Sequence, residues 1–454
     1  MSYSVTSLFC GAGGLDLGFH MREFQLVFAN DILEKPLKSY SKNLGIKLSS
    51  KIDGSYPLAV LSDVRDLNFN NLPHSDVVIG GPPCQDFSVL RGRKKRKGIE
   101  VRRGRLYSEF VRALVYTQPK FFVFENVPGL LTANQGKAHE VIENDFVNLP
   151  VEWKDIQKSL NNGYNSEIKG YELLFNSVVN MVNLGVPQAR KRLIIIGVRK
   201  DLINDVEDIY NIKMILDKSL YGWDNLFSKY PLTPIEVFEG KSLDKLNDQY
   251  LEVMTKYDKL WEDINNEHAK AWKKEVWDNL NFDIVQDYIL LNKIPKFEEK
   301  EFKKAMIEHK EVLKLLKYYK RPVEGTEFED GSNDIPNESD NIKERLFRIP
   351  PGYNYTFVRG TRWSVKGLMS GVYRRIHPLI PSPTIIAYGG GGTWGYHYDR
   401  ERGMMTNRER ARIQTFPDWY LFEGSKQDVR AQIGEAVPPL ASYKIAGALQ
   451  KILI

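Results

Sequence analysis

Two cysteines in 454 residues, Cys10 and Cys84, are too few for a disulfide framework. A reducing compartment suits such a chain, and we expect a cytoplasmic protein. Neither cysteine has a second Cys or a His at metal-ligand spacing, which argues against a zinc site. Long apolar runs are also missing: none approaches the roughly 20 residues that a membrane-spanning helix requires. The opening "MSYSVTSLFCGAGG" enters a strand-like pattern almost at once and leaves no room for a signal or transit peptide. No internal repeat is found.

What is present is the composition of a soluble globular protein, 42% hydrophobic and 27% charged, in a chain longer than one core usually supports. Two or more domains follow. The net charge of +6 is mild but uneven. Residues 91–105, "RGRKKRKGIEVRRGR", hold nine Lys or Arg against one Glu, a local +8 that leaves about −2 for the rest. A solvated basic loop fits this run, and so does a loop that meets a polyanion, since each cation placed at a phosphate releases counterion.

The first 200 residues alternate short apolar runs with helical patterns. Strands are predicted over 5–10, 25–30, 76–81, 120–127, 171–179 and 191–199, with helices over 34–44 and 106–117. Near-continuous apolar strands between helices imply an α/β fold with a mostly parallel sheet covered on both faces. Residues 200–320 place Lys, Glu, Asp and aromatics at helical spacing. Residues 324–341 carry seven acids, two glycines and one proline and read as a loop or linker. Residues 353–378 mix aromatics, Arg and Gly in short strand-like pieces, and the tail over 438–454 reads as a helix with an apolar face.

"SLFCGAGGLDLGF" (7–19) runs strand, glycine turn, helix, and Gly11, Gly13 and Gly14 allow a close backbone approach. The spacing is not G-x-G-x-x-G, which argues against a pyrophosphate cofactor. Asp31 ends the second strand, where a carboxylate reaches ribose hydroxyls. Asp63 follows a third apolar stretch, where an adenine edge would lie. Each acid alone is as well explained as a helix cap; in this order, they point to an adenosine ligand without phosphates.

"GGPPCQDFS" (80–88) places Cys84 beyond the strand "DVVI", behind two prolines that stiffen the approach. A buried structural thiol is the ordinary alternative to a nucleophile there. Glu125 in "FENV" ends the next strand, where apolar surroundings would raise its pKa and let it donate to a ring nitrogen. "PQARKR" adds Gln188, Arg190 and Arg192 before another strand, either as a surface face or aimed at a common edge.

Taken in order, "LFCGAGG", "GGPPCQDFS", "RRGRLY", "FENV", "GVPQARKR", "TNRERARIQTFPD" and "QIGEAVPP" resemble the motif blocks of the DNA (cytosine-5)-methyltransferases. The likeness covers about residues 5–199 and 396–454, with "PSPTI" (381–385) similar to the short Thr-centred signature of the target-recognition region. It implies a doubly wound, mostly parallel seven-stranded Rossmann-like sheet with an inserted smaller target-recognition domain. The expected boundaries are 1–200 for the catalytic domain, 201–395 for target recognition with a helical insertion, and 396–454 for the return to the catalytic domain. The C-terminal helix should then fold back beside the "CGAGG" turn.

The same resemblance implies roles for single residues. Cys84 attacks C6 of a cytosine taken out of the duplex, Glu125 bonds its N3 and amine, Arg192 meets its O2 side, and Arg190 supports the site. Phe9, Gly11, Ala12, Gly14, Asp31, Asp63, Val64, Pro83, Leu106, Glu435 and Ala436 would lie at the cofactor, S-adenosyl-L-methionine. Arg103, Gln188 and Thr384 would contact DNA, and residues 91–105 would be a mobile loop with Gly92, Gly98 and Gly104 as hinges. Double-stranded DNA is the implied partner, a restriction endonuclease the functional companion, no metal is needed, and one copy suffices. Two positions depart from the pattern: Glu435 stands where the family block usually has Asn, and Ser7 where many members have Asp. Rival readings are a tRNA cytosine-5 methyltransferase of the same fold, a catalytically silent DNA-binding regulator, and a Rossmann oxidoreductase.

Overall fold

The computed structural model describes residues 2–83, 106–153, 168–203, 205–295, 298–366, 370–389, 392–393 and 395–453. The chain forms two compact units. The first comprises Met1–Leu184, Lys191–Asp224 and Ala436–Ile454; the second comprises Gly185–Arg190 and Asn225–Glu435. The first unit therefore runs on past the expected boundary at 200 and resumes at Ala436, not at 396.

The first unit is built on β1 (Ser4–Leu8), α1 (Gly14–His20), β2 (Gln25–Asp31), α2 (Glu34–Leu44), β3 (Lys47–Ser49), β4 (Leu58–Leu61), β5 (Val77–Gly80), α3 (Leu106–Thr117), β6 (Phe121–Asn126), α4 (Lys137–Val147), β7 (Tyr171–Asn180) and β9 (Lys191–Arg199). The sheet order is β3-β4-β2-β1-β5-β6-β9-β7. It has eight strands where seven were expected; the short polar edge strand β3 carries no apolar signal in the sequence. Neighbours from β3 to β6 run parallel, and β9 and β7 join antiparallel. Central strands such as β5 are buried along their whole length, as helices on both faces require. Phe110 of α3 meets Phe122, Phe124 and Phe146 edge to face, filling one side of the sheet with aromatic rings.

The C-terminal helix Pro439–Gln450 lies against α1. Gly18 permits this, because a Cβ there would collide with the backbone of Ser442 and Tyr443, and the Ser442 hydroxyl donates to the Leu15 carbonyl. The helix Val206–Leu220 also belongs to this unit, with Leu216 and Leu220 buried.

The second unit is mostly helix and irregular chain. Its helices include Asn247–Thr255, Glu267–Glu275, Ile284–Leu291, Glu299–Leu315, Asn407–Ile413 and Lys426–Glu435. Its sheet among the described residues is a parallel pair of two-residue strands, β8 (Gln188–Ala189) and β10 (Ser382–Pro383). Residues 353–378 hold no strand among the described residues, contrary to their strand-like pattern; Tyr355–Val358 is a 3-10 turn and Arg375 makes a single bridge to Tyr396. Nor is 324–341 a linker. Asp330 pairs with buried Arg408 at 3.0 Å, Ser332 is buried, and Glu338 accepts the Met404 N–H at 3.1 Å. No helix among the described residues is long and apolar enough to cross a membrane.

Candidate active site at the sheet edge

In the parallel order, the chain departs from β1 towards β2 on one side and reaches β5 on the other. The crevice beyond the carboxyl ends of β1 and β5 is where doubly wound folds bind ligands. Leu8 and Gly80 are paired neighbours at that edge. The turn after β1 is tightly specified: Phe9, Gly11 and Gly13 all have positive φ (57°, 54° and 71°), and the Gly13 N–H donates to the Cys10 carbonyl at 2.7 Å. Phe9 thus holds a conformation that costs a non-glycine residue energy. A Cβ built on Gly11 meets nothing within 4 Å, so this backbone faces open space. At Gly14 a Cβ would strike the Val437 carbonyl and come within 2.9 Å of the Ala436 Cβ. Ala12 and Cys10 are buried, and burial, with Asp16 and Asp31 nearby, pushes the Cys10 thiol well up; it is not a ready nucleophile.

Asp31 locks the turn to β2. Its Oδ2 accepts the Gly11 N–H and its Oδ1 the Leu33 N–H, each at 2.8 Å. Burial raises its pKa while these donors oppose the rise. Each oxygen keeps a lone pair for a ligand hydroxyl. Asp63 is engaged otherwise than expected. It caps a 3-10 turn through the Arg65 N–H at 2.9 Å and is clamped by the Arg65 guanidinium, which holds its carboxyl low. Val64 is buried in the β2–β4 cluster, and Leu106 packs against that cluster at the start of α3.

Glu125 is the last residue but one of β6, and Arg192 is the second residue of the antiparallel β9. The pairing Glu125↔Ile194 brings the Arg192 Nε to 3.0 Å from the Glu125 Oε1, with the two side chains only 15% and 12% exposed. The neighbour is a guanidinium, not the apolar wall expected from the sequence. Gly81 makes space for this pair, since a Cβ there would lie 2.7 Å from the Glu125 Oε2. Asn126, a residue sequence reasoning passed over, is buried and donates to the Pro82 carbonyl at 3.1 Å. It fixes the segment on which exposed Pro83 stands. Its partner lies 44 residues back along the chain, a contact that no local sequence pattern marks. Cys84, Arg103 and the hinge glycines Gly92, Gly98 and Gly104 lie outside the described residues.

Two assignments need correction. Gln188 and Arg190 belong to the second unit and are scaffold there. Buried Gln188 accepts the Ile385 N–H at 2.8 Å and donates to Gln414; buried Arg190 donates to the carbonyls of Ile385 at 3.3 Å and Gly434 at 3.1 Å. Neither guanidinium nor amide is available for a substrate. Thr384 is exposed, with its hydroxyl donating to the Ala189 carbonyl at 2.9 Å. Glu435 is exposed at the end of the helix Lys426–Glu435 and accepts the Tyr388 hydroxyl.

Residues 3–451 match the C-5 cytosine-specific DNA methylases. The chain belongs to this family. The methylase is 51% identical over 463 residues to the DNA (cytosine-5-)-methyltransferase M.ApeKI of Aeropyrum pernix, covering 99% of both chains. It is 33% identical to the type II methyltransferase M.NgoFVII of Neisseria gonorrhoeae, over 99% of this chain and 86% of that one. A solved prophage-encoded DNA modification methyltransferase from E. coli shares the fold, with a TM-score of 0.54 and 22% identity over 100% of the methylase and 99% of that chain. The methylase is thus a DNA (cytosine-5-)-methyltransferase, and its chemistry requires a methyl donor.

Proposed function

We propose that the methylase transfers a methyl group from S-adenosyl-L-methionine to C5 of a cytosine turned out of duplex DNA, with Cys84 as the covalent nucleophile. The observation that carries this reading is the Glu125–Arg192 pair, seated against Gly81 at the start of the segment that leads to Cys84. A base must leave the stack for C6 to be reached. The Cys84 thiolate then adds to C6, forming an S–C6 bond as the C5–C6 π pair moves to C5. Glu125 bonds N3 and the exocyclic amine and balances the charge that develops on the ring, while Arg192 orients Glu125 and meets the O2 side. With the C5 electron pair held in the new C5–methyl bond, loss of the C5 proton to a base lets the C–H electrons re-form the C5–C6 double bond, and the Cys84 sulfur leaves with the electrons of its bond to C6. Splitting the substitution in this way replaces one hard step by easier ones.

The glycine turn fits the adenosine part of that cofactor: Gly11 faces open space, and Asp31 keeps free lone pairs beside it. When bound, the cofactor supplies an electrophilic methyl on a sulfonium sulfur that departs as a neutral thioether. Phe9 and Pro83 would flank it, and Asp63 would reach the adenine amine only by parting from Arg65. The second unit is the target-recognition domain in this reading, a single copy suffices to extrude one base, and a restriction endonuclease is the companion enzyme. A cytoplasmic setting suits such a pair.

The test is expression in a methylation-deficient bacterium with 5-methylcytosine mapped at base resolution, alongside Cys84→Ser. One short motif modified by the parent and blank in the variant is expected. Methylation that persists in Cys84→Ser would remove the covalent step, and label found in tRNA but not in DNA would replace the substrate.

A further inference from the structure

The second unit contains a recess of about 400 Å³ lined by Lys343, Arg348, Arg362, Arg400 and Arg402 around Phe347. Two acids reach its wall, and both are engaged elsewhere. Glu344 accepts the Trp363 indole N–H at 3.1 Å, and Glu401 pairs with Lys256 at 3.4 Å. The cations are not equivalent. Arg402 is paired with Glu409 at 2.7 Å and Arg400 with Asp263 at 3.2 Å. Among the described residues, Arg348 and Arg362 have no carboxylate partner, and the buried Arg348 Nε has no hydrogen-bond acceptor. Both guanidiniums lie over the Trp363 ring, at 3.7 Å and 4.6 Å from its centre, so one indole holds both. Burial pulls the Arg348 pKa down, and the like charges of Arg362 and Arg400 add to the pull against Asp263 and Glu344.

Gathering like charges around a concave, half-buried surface costs energy that an anion would return. Planar guanidiniums match the oxygens of a phosphate, and a recess suits a group that projects. Base edges lie inside a groove and are read by elements that protrude into it, whereas these residues line a recess. We propose that this recess binds a backbone phosphate of the DNA substrate, with Arg348 and Arg362 as its donors. It supplies placement and affinity, not sequence reading. The inference rests on the reading of the methylase as an enzyme acting on duplex DNA.

The experiment measures binding of a labelled duplex carrying the mapped motif across a salt series, for the parent, Arg362→Gln and Arg348→Gln. Arg362 is exposed and, among the described residues, its guanidinium stacks on Trp363 without an ion-pair partner, so its substitution removes little packing. Removal of one phosphate contact should lower the slope of log K against log salt by about 1, with the methylated motif unchanged. A scan of single methylphosphonates should then find a position that weakens the parent and leaves Arg362→Gln unaffected. Slopes equal to the parent in both variants would overturn the phosphate recess while leaving DNA methylation intact. So would a motif relaxed at one base pair with the slope preserved. A parent that neither binds nor methylates duplex DNA would overturn both readings together.

Discussion

The two units of the methylase solve the same problem, the backbone polar group removed from water, by different means. In the first, the sheet pairs strand with strand, and the side chains between helices and sheet are apolar. In the second, the strands among the described residues are one two-residue pair, and buried arginines do that work. Arg375, fully buried, donates to the carbonyls of Ile349, Leu346, His397, Asp399, Arg400 and Arg402. Arg412 bonds the carbonyls of Val237, Phe238 and Arg321 while its other edge pairs with Asp418. Buried carbonyls need donors, and irregular chain offers too few of its own. One guanidinium with five N–H groups can close several loops at once.

This comparison is broken most directly at Arg375. Arg375→Met keeps the length of the side chain and removes a donor from six carbonyls, of which Leu346 and Asp399 keep a backbone N–H, so a loss of roughly 5 kcal/mol is expected. Denaturant unfolding followed by circular dichroism measures it, and a loss below about 1 kcal/mol would show that the loops satisfy themselves. The counterpart in the first unit is Phe122→Ala. Phe122 touches Phe110, Phe146 and Tyr171 through ring contacts, and its truncation should cost about 3–5 kcal/mol through cavity formation alone. Recovery by Phe122→Leu but not by a polar residue would mark the cost as packing.

The same contrast explains what the sequence reveals. The glycine turn, Asp31 and Glu125 are legible because strand, turn and acid lie within a few residues of one another, and the sheet fixes where strand ends point. Asn126 acts through a carbonyl 44 residues away, and no local pattern announces that. Arg190 and Arg192 look like alternating positions of one strand, yet the chain passes between units at Arg190–Lys191, so their side chains serve different structures. Residues 324–341 have the composition of a solvated linker. Their acids are held by arginines far along the chain, such as Arg408, which composition does not show. Irregular structure stapled by distant guanidiniums is nearly invisible to periodicity.

A pH series sharpens the comparison, because a buried titratable group can be chosen in each unit whose shift runs in a different pH window. His309 of the second unit is fully buried, with Nδ1 at 2.8 Å from Glu236 and Nε2 at 2.9 Å from the Tyr230 carbonyl. Two acceptors require both nitrogens protonated. Burial pulls its pKa down, but the Glu236 carboxylate and these bonds prevail and raise it above 6.5. Its contribution is complete below pH 6.5 and is lost as pH climbs through the raised value. His309→Gln should cost about 3 kcal/mol at pH 6 and less at pH 9, measured by denaturant midpoints; a cost independent of pH would assign it to packing.

Asp16 of the first unit works in a lower window. It is fully buried on α1, and burial raises its carboxyl to about 6 against the Tyr40 hydroxyl that bonds it at 3.1 Å. The acid is harder to ionise folded than unfolded, so stability falls as pH rises from 3.8 to about 6. Asp16→Asn keeps an acceptor for Tyr40 and should gain at most about 3 kcal/mol at pH 8, with no gain at pH 4. Thermal melts at the two pH values decide it, and a variant less stable at both would mean that the carboxylate has a charged partner.

The smallest effect is expected where the sequence departs most visibly from its family. Glu435 replaces the usual Asn, which invites the idea that its charge alters cofactor binding. Its side chain is exposed and accepts the hydroxyl of Tyr388, itself 70% exposed. An exposed carboxylate in water is screened at physiological salt, over about 8 Å, and its charge adds little to binding. Glu435→Asn should therefore leave the S-adenosyl-L-methionine dissociation constant, measured by calorimetry, within about twofold of the parent at physiological salt. Lowering the salt removes the screening, so a charge that does act on the cofactor would show as a difference that grows at low ionic strength. A shift that grows in this way would make Glu435 a cofactor residue. A shift constant across salt would trace to the lost Tyr388 bond, which Tyr388→Phe would reproduce.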